Sequence, residues 1–378
     1  MRPRPALALL GGLLASRALA APGSDAPMGL RTEGTFSTLF LEMTLADARA
    51  LEKPELDLRW TLANDWSTPT LLTRGSQTVL LQTDEQADAL SASLRVPWSR
   101  LLGPGPPLGP RPLWQRFSTA LEVRITEHWG GWSDPVIEWW HGFINSINFE
   151  RDLYPQNAIH VTLEDPATGR GLDIRSARLA FGDLVLRTQF LIAEGGASAV
   201  TPGRSRYGLS ARLDLKLPAG SPQALGGSGH FDAGGALLGT FEIAPWLTAH
   251  AMLALSAFGG LSVPVGLAPE TWHYTLELSL PVRLGAVTLL LEDRLTSRVF
   301  EDGWSLPSTT TDLDYQSSGY YGTFRAQNQM SGGVRYGAFT WWFSEDFTPG
   351  SNPHSPDGWF YDSNTPDIAT GITYRTSL

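Results

Sequence analysis

The chain has 378 residues, no cysteine and a formal net charge of -10 at neutral pH. The absence of cysteine excludes disulfides, a thiolate metal centre and a lipoprotein acylation site. An acidic chain with no basic patch excludes nucleic acid as a general partner.

Taken in chain order, residues 1–20 read MRPRPALALLGGLLASRALA. Arg2 and Arg4 form a basic start, Ala6–Ala15 an apolar centre, and Ala18-Leu19-Ala20 a small-x-small end. This is the pattern of a secretory signal peptide, expected to be cut after Ala20 and to leave one domain over 21–378. A polar leader then runs into Thr35–Leu45, expected as a strand. Over Glu55–Asn64, Leu56, Leu58, Trp60 and Leu62 alternate with Asp57, Arg59 and Thr61. A period of two places the two sets on opposite faces of a strand. Asn64-Asp65-Trp66-Ser67 reads as a turn and Thr78–Gln82 as the continuation of a hairpin. Ala89–Val96 alternates again, with Ser91, Ser93 and Arg95 on its polar side. The Pro/Gly run Gly103–Pro112 is a loop, and then Leu121, Val123 and Ile125 oppose Glu122, Arg124 and Thr126.

Here the period changes. Val136, Trp139, Trp140, Phe143, Ile144 and Ile147 share one helical face, with Asp134 placed to cap it and Pro135 at the first helical position. One short amphipathic helix is expected over 135–147. Three roles are open to it: a plug in a lumen, an interfacial helix on a membrane surface, or a cover over a sheet end.

Strands resume at Ala158–Leu163 and Gly171–Ile174. Leu184, Leu186, Phe190 and Ile192 then oppose Arg187 and Gln189. The cleanest alternation sets Leu209, Ala211, Leu213, Leu215 and Leu217 against Ser210, Arg212, Asp214 and Lys216. Ala236–Ile243 and 246–258 follow. The next two strands carry Thr275, Glu277, Ser279 and Arg283, then Thr288, Glu292 and Arg294, on their polar sides. Tyr320–Gln327, Val334–Phe343 and Ile368–Thr376 close the series, with Ser297–Ser318 read as a long polar loop and Phe343–Pro366 as an acidic one. No repeat of the kind that builds propellers or solenoids is visible.

Alternation alone fits a soluble sheet or a membrane barrel, and three features favour the barrel. Strands of about ten residues at about 3.3 Å each, tilted by about 40°, rise about 25 Å, the height of an apolar band. Opposite charges neighbour one another on the polar faces, which suits a confined lumen. Trp60, Trp98, Tyr207, Trp246, Trp272 and Trp341 sit near strand ends, as an aromatic girdle requires. The expected fold is all-β, an antiparallel transmembrane β-barrel of about 12 strands (roughly 10–14).

The lumen-facing set is then Asp57, Arg59, Arg95, Glu122, Arg124, Arg187, Arg212, Asp214, Lys216, Glu277, Arg283, Glu292 and Arg294. Eight of these are cations and five are anions, so an open lumen would be net positive and mildly anion-selective. Ser210, on the same wet face, would tolerate arginine.

Several separated stretches also resemble a family of Gram-negative outer-membrane β-barrel proteins of uncharacterised function. They are Leu56–Trp66 (LDLRWTLANDW), Trp139-Trp140-His141-Gly142-Phe143 followed by Arg151 and Pro155, and Leu215–Gly229 (LKLPAGSPQALGGSG). The resemblance implies an outer-membrane location, contact with outer-membrane lipid and insertion by the barrel-assembly machinery. It implies no catalytic residues. The last residues, GITYRTSL, offer Tyr374 but end on Leu378, where such barrels tend to carry a terminal aromatic.

The seven histidines (His128, His141, His160, His230, His250, His273, His354) make no metal-ligand spacing, and GGSGH around Ser228 is not a nucleophile elbow. No catalytic, cofactor or metal site is expected, and no enzyme. The leading expectation is a channel- or transporter-like outer-membrane barrel with a charged lumen and an unspecified small solute. Its rivals are a structural or adhesive barrel with a filled lumen, and a soluble periplasmic β-protein.

Overall fold

The computed structural model describes residues 25–103, 112–144, 154–199, 204–304, 326–346 and 368–378. The signal peptide read over 1–20 lies outside them, as do most of the 103–112 loop and the greater part of the two long loops after residues 304 and 346.

The strands are β1 (Glu55–Arg74), β2 (Gln77–Pro97), β3 (Phe117–Trp129), β4 (Val161–Asp165), β5 (Arg170–Ile174), β6 (Arg178–Phe181), β7 (Leu184–Ala197) and β8 (Ser205–Leu217). They continue with β9 (Asp232–Ala244), β10 (Leu247–Phe258), β11 (Trp272–Leu284), β12 (Val287–Thr296), β13 (Gln327–Tyr336), β14 (Phe339–Asp346) and β15 (Ile368–Ser377). Helix α1 (Trp98–Leu102) follows β2, and α2 (Asp134–Ile144) follows β3. Twelve strands, β1–β3 and β7–β15, pair with their neighbours antiparallel. The ring closes where β1 pairs β15, from Glu55 opposite Ser377 to Asn64 opposite Ile368. The structure is therefore a closed twelve-stranded antiparallel β-barrel.

One end has mostly tight turns, the 98–116 connection between β2 and β3 being its long exception. Gly285 and Gly337 open the two-residue links between β11 and β12 and between β13 and β14, at φ of 66° and 57°. Glycine reaches that left-handed region without a side-chain clash. The other end carries the long connections 130–183, 218–231, 259–271, 297–326 and 347–367. In outer-membrane barrels short turns face the periplasm and long loops face outward.

Burial is inverted relative to a soluble protein. On β8 to β12 most polar residues are buried and most large apolar ones exposed, with Leu238, Met252 and Leu290 the buried apolar exceptions. Leu213 is 52% exposed, while Ser210 beside it is fully buried. The outer face is thus an apolar belt suited to lipid. Trp98, Tyr207, Trp246 and Trp272 sit at or beside strand ends. Trp341 holds the same place in β14 as Tyr207 in β8, whereas Trp60 lies further inside β1.

Several sequence expectations are corrected. The expected turn at 64–67 is the middle of β1, and 83–86 is the middle of β2. These positions lost the apolar alternation because both faces are covered by polar partners. Inside, Thr35 donates to Asp65 and Glu85; outside, Asn64 donates to Ser133 and Asp134. The strand expected over 35–45 is an irregular segment with one 3-10 turn at Ser37–Leu39. The strand expected over 334–343 is two strands, broken by the turn at Gly337. Ser344 and Glu345, read as loop, belong to β14.

The strands expected at 158–163 and 171–174 are β4 and β5, a hairpin attached to the upper part of β2. Together with β6, which pairs with the upper part of β3, it stands outside the twelve-strand ring.

The apolar face of α2 is also placed differently. Val136, Trp139 and Phe143 are 49%, 66% and 71% exposed, while Ile137, outside the expected face, is buried. Trp140 is partly buried, donating to Glu345 at 2.7 Å and packing edge-on against Phe343. The buried side of α2 is therefore set by what it meets on the barrel rim. The Ile144 side chain and Ile147 lie outside the described residues.

Leu213→Arg is expected to impair barrel assembly, because an arginine facing lipid near the midplane costs about 2–4 kcal/mol, whereas Leu213→Ile keeps an apolar surface. Heat-modifiable migration of membrane-extracted protein checks this. Equal folding of the two variants would contradict the outward placement of Leu213.

Candidate functional site

The lumen is not empty. Residues 25–50 enter it at the short-turn end, climb to the long-loop end, turn at Ser37–Leu39 and descend again to β1. This plug has almost no regular structure, so its peptide groups need partners from the wall. Charged wall residues supply them. Glu292 accepts from the Met28 and Leu30 amides, both at 3.0 Å. Asp65, Asp232 and Glu277 accept from Thr35, Leu41 and Leu45 at 2.7, 2.8 and 3.0 Å. In the other sense, Arg59 donates to the Met28 and Gly29 carbonyls, both at 2.9 Å. Arg294, Lys216, Arg335 and Arg375 donate to the carbonyls of Leu30, Leu39, Ala26 and Pro27.

The two ends of the plug are clasped together at the short-turn end. Arg49 bridges Asp25 at 2.8 Å and Asp47 at 2.7 Å, and Arg204, just before β8, reaches both carboxylates. Burial would raise the Asp47 carboxyl, but Arg204 and Arg49 outweigh it and hold it well below the usual carboxylate range. His250 bonds the Asp25 carbonyl oxygen at 2.6 Å. The opposite end is sealed by an apolar cap in which Phe36, Leu39 and Phe40 from the plug tip meet Leu72, Val79, Leu163, Val265 and Phe300. The beginning of the loop read as polar after residue 297 thus contributes Val299, Phe300 and Trp304 to a buried core.

All thirteen residues read as lumen-facing lie on wall strands. Arg187, Arg212, Asp214, Lys216, Glu277, Glu292 and Arg294 are buried, and Asp57, Arg59, Arg95, Glu122, Arg124 and Arg283 are partly buried. They form local networks. Glu122 pairs with Arg31 of the plug and with Arg187; Arg187 also meets Asp214 at 3.2 Å, and Arg212 meets the same carboxylate at 2.9 Å. Arg124 pairs with Glu33 at 2.5 Å. Lys216 meets Asp183 at 2.7 Å, Asp232 at 3.1 Å and the Ser228 hydroxyl at 2.7 Å, which gives Ser228 a structural partner.

The expected positive surplus of the lumen wall is smaller than the thirteen residues alone give, because other carboxylates also face inward. Asp65, Glu85, Asp232 and Glu242 are buried there, along with the cation Arg335, and Arg375 is partly buried. A positive surplus survives in one place: a cavity of about 110 Å³ between the plug and the wall of β1, β2, β3 and β7. Seven arginines and four carboxylates line it.

The expectation that Ser210 is a wet position is overturned too. Its hydroxyl donates to the Ala48 carbonyl of the plug, leaving no room for arginine. Sequence reasoning also missed Leu290 and Trp342, which are apolar yet face inward. Leu290 and Trp342 do so because Met28 and Leu30 of the plug pack against them. Glycines on inward positions were an available signal. A side chain at Gly208 would come within 2.8 Å of the Arg49 amide, and ones at Gly234 and Gly333 would strike Met43 and Met28. His128 and His250 are buried in separate networks, the first against Glu85 at 2.8 Å. Among the described residues no group of three acidic or histidine side chains is placed to hold a metal ion.

No family model and no curated protein matches the chain. Solved structures do. An outer-membrane channel from Pseudomonas putida F1 aligns over 88% of this chain and 98% of its own, at 10% identity and a TM-score of 0.44. The NanC porin aligns over 85% and 99%, at 8% identity and a TM-score of 0.38. The transport unit of the autotransporter AIDA-I from Escherichia coli aligns over 87% and 91%, at 6% identity and a TM-score of 0.36. At these scores the likeness says nothing of what this barrel does.

Gly208→Val should expel the plug, since the new side chain meets backbone rather than a flexible side chain. Gly239→Val, with nothing within 4 Å, is the matched control. Trypsin digestion of the folded barrel reads the difference: cleavage at Arg31 and Arg49 is expected in Gly208→Val and absent from wild type and control. Protection of all three would contradict the packing of the plug against β8.

Proposed function

We propose that the protein is an outer-membrane channel held closed by its own N-terminal segment. The observation that carries this reading is the plug itself. It runs the height of the lumen, and many of its wall contacts are hydrogen bonds and ion pairs to its backbone and charged side chains, set between separate apolar patches at Met28 and Leu30 and at Leu41, Met43, Leu45 and Ala48. Such contacts can be exchanged for water when the segment moves, at less cost than unpacking a continuous apolar core. The apolar outer belt, the even strand number and the tight turns at one end suit an outer-membrane setting. The leader over 1–20 would deliver the chain there, and the assembly machinery would insert it. Opening requires the plug to leave or to shift from the wall, and small solutes are the cargo that a twelve-stranded lumen fits.

A second reading, a structural barrel with a permanently filled lumen, is favoured by one observation: the apolar cap at the long-loop end. Planar-bilayer recording separates the two. Wild-type protein should be closed with brief openings. A variant lacking residues 25–49, shown to be folded by heat-modifiable migration, should conduct steadily. Glu292→Ala, which frees the Met28 and Leu30 amides, should lengthen the openings of the full chain. A folded, plug-deleted barrel that stays silent would end the channel reading.

A further inference from the structure

We propose that the cavity between the plug and the β1–β3 wall is a binding site for a small free oxyanion: a carboxylate, sulfate or phosphate. The proposal deepens the channel reading by naming the solute class, and it rests on that reading only for the route by which the anion arrives.

The cavity exists because its wall is built from small side chains. Ala89, Ser91 and Ser93 line it from β2, where longer residues would close the gap to the plug. The register sets Arg59 opposite Ser91 and Asp57 opposite Ser93. The space of about 110 Å³ corresponds to three or four waters at about 30 Å³ each, enough for one small polyatomic ion.

The charge is only partly compensated: Glu55 stands opposite Arg95 in the β1–β2 register but makes no ion pair with it. Most lining arginines have carboxylate partners, but Arg95 donates only to neutral groups, Ser118 at 3.1 Å and Gln189 at 2.7 Å. Arg59 donates only to the two plug carbonyls. Among the described residues neither forms a salt bridge. Arg187 spends two of its nitrogens on Glu122 and Asp214, yet its Nη2 is buried with no hydrogen-bond partner. A guanidinium nitrogen buried without an acceptor is costly, and the two positive charges left once Asp214 is counted with the four lining carboxylates add to that cost in a confined space. An oxyanion relieves both, because its oxygens accept from guanidinium forks and from serine hydroxyls together.

The source of the anion is also constrained. β1 and β2 pair without interruption from Glu55 to Ser67, and β2 and β3 from Gln86 to Pro97. The wall behind the cavity offers no lateral gap to a lipid headgroup, which leaves a free solute.

Isothermal titration of the purified full-length protein in neutral detergent at low salt tests the site, with inorganic phosphate, sulfate and acetate as probes. Dispersed phosphatidylglycerol, a lipid phosphate, is the contrasting arm. Wild-type protein should take up one equivalent of at least one free oxyanion saturably. Arg95→Gln should weaken it at least tenfold, Arg95→Lys should restore part of it, and Ser93→Asp should abolish it, with each barrel shown to be folded by heat-modifiable migration. No saturable uptake of any free probe, binding of the lipid phosphate alone, or equal affinity in wild type, Arg95→Gln and Ser93→Asp would each overturn the proposal. Titration needs no conduction, so a silent plug-deleted barrel would sink the channel reading and leave this site standing.

Discussion

The structure depends on one constraint: a peptide segment without secondary structure cannot be buried unless its amides and carbonyls find partners. The plug makes few of its own. Carboxylates on the wall accept from its amides, and arginines and a lysine donate to its carbonyls. This reverses the usual reading of charges in a barrel lumen. Glu292 and Arg59 are less a lining for water than a set of fixed partners for one chain segment in one register. The same constraint explains the inward glycines, since backbone can approach the wall closely only where no side chain stands.

Much of the barrel was legible in the sequence because a lipid-facing belt imposes strict alternation. Leu209 to Leu217 is the plainest case, and its two faces were assigned as the structure places them. Legibility failed where a second contact replaced lipid or water. At 64–67 and 83–86 the strands rise above the apolar belt and are sandwiched between the plug and the segment around Ser133, so polar residues occupy both faces; 64–67 therefore read as a turn, and 83–86 fell between two expected strand segments. Trp342 and Leu290 point inward because the plug carries an apolar spot at Met28 and Leu30. The plug itself was unreadable by periodicity. Its apolar residues at 36–45 answer to three different environments, the cap, the wall and its own return strand of chain, and no fixed period can encode that. The face of α2 was misassigned for a related reason: Ile137 and Trp140 meet the barrel, and helical spacing alone does not say where the barrel is.

The candidate site follows from how plug and wall fail to fit perfectly. Along β8 to β13 the plug packs closely, with Met43 and Met28 against glycines. Along β1 to β3 small wall residues leave a gap, and arginines from both sides converge on it. The thirteen charged residues found by alternation therefore divide into two roles. Glu277, Glu292, Arg294 and Lys216 hold the plug. Arg95, Arg124 and Arg187, with Arg59 serving both, surround open space. Sequence alone could not make this division, because it depends on the path of a segment that the pattern does not describe.

The central claim, that residues 25–50 occupy the lumen of the assembled barrel, is most directly tested by cross-linking. The chain has no cysteine, so Met28→Cys with Gly333→Cys introduces the sole thiols, at two positions whose side chains would meet. In folded protein extracted from the outer membrane, a short thiol-to-thiol cross-linker should join the pair and change its migration after denaturation, while either single variant should not respond. Free modification of both thiols by a bulky water-soluble maleimide, with no cross-link formed in the folded barrel, would contradict the account.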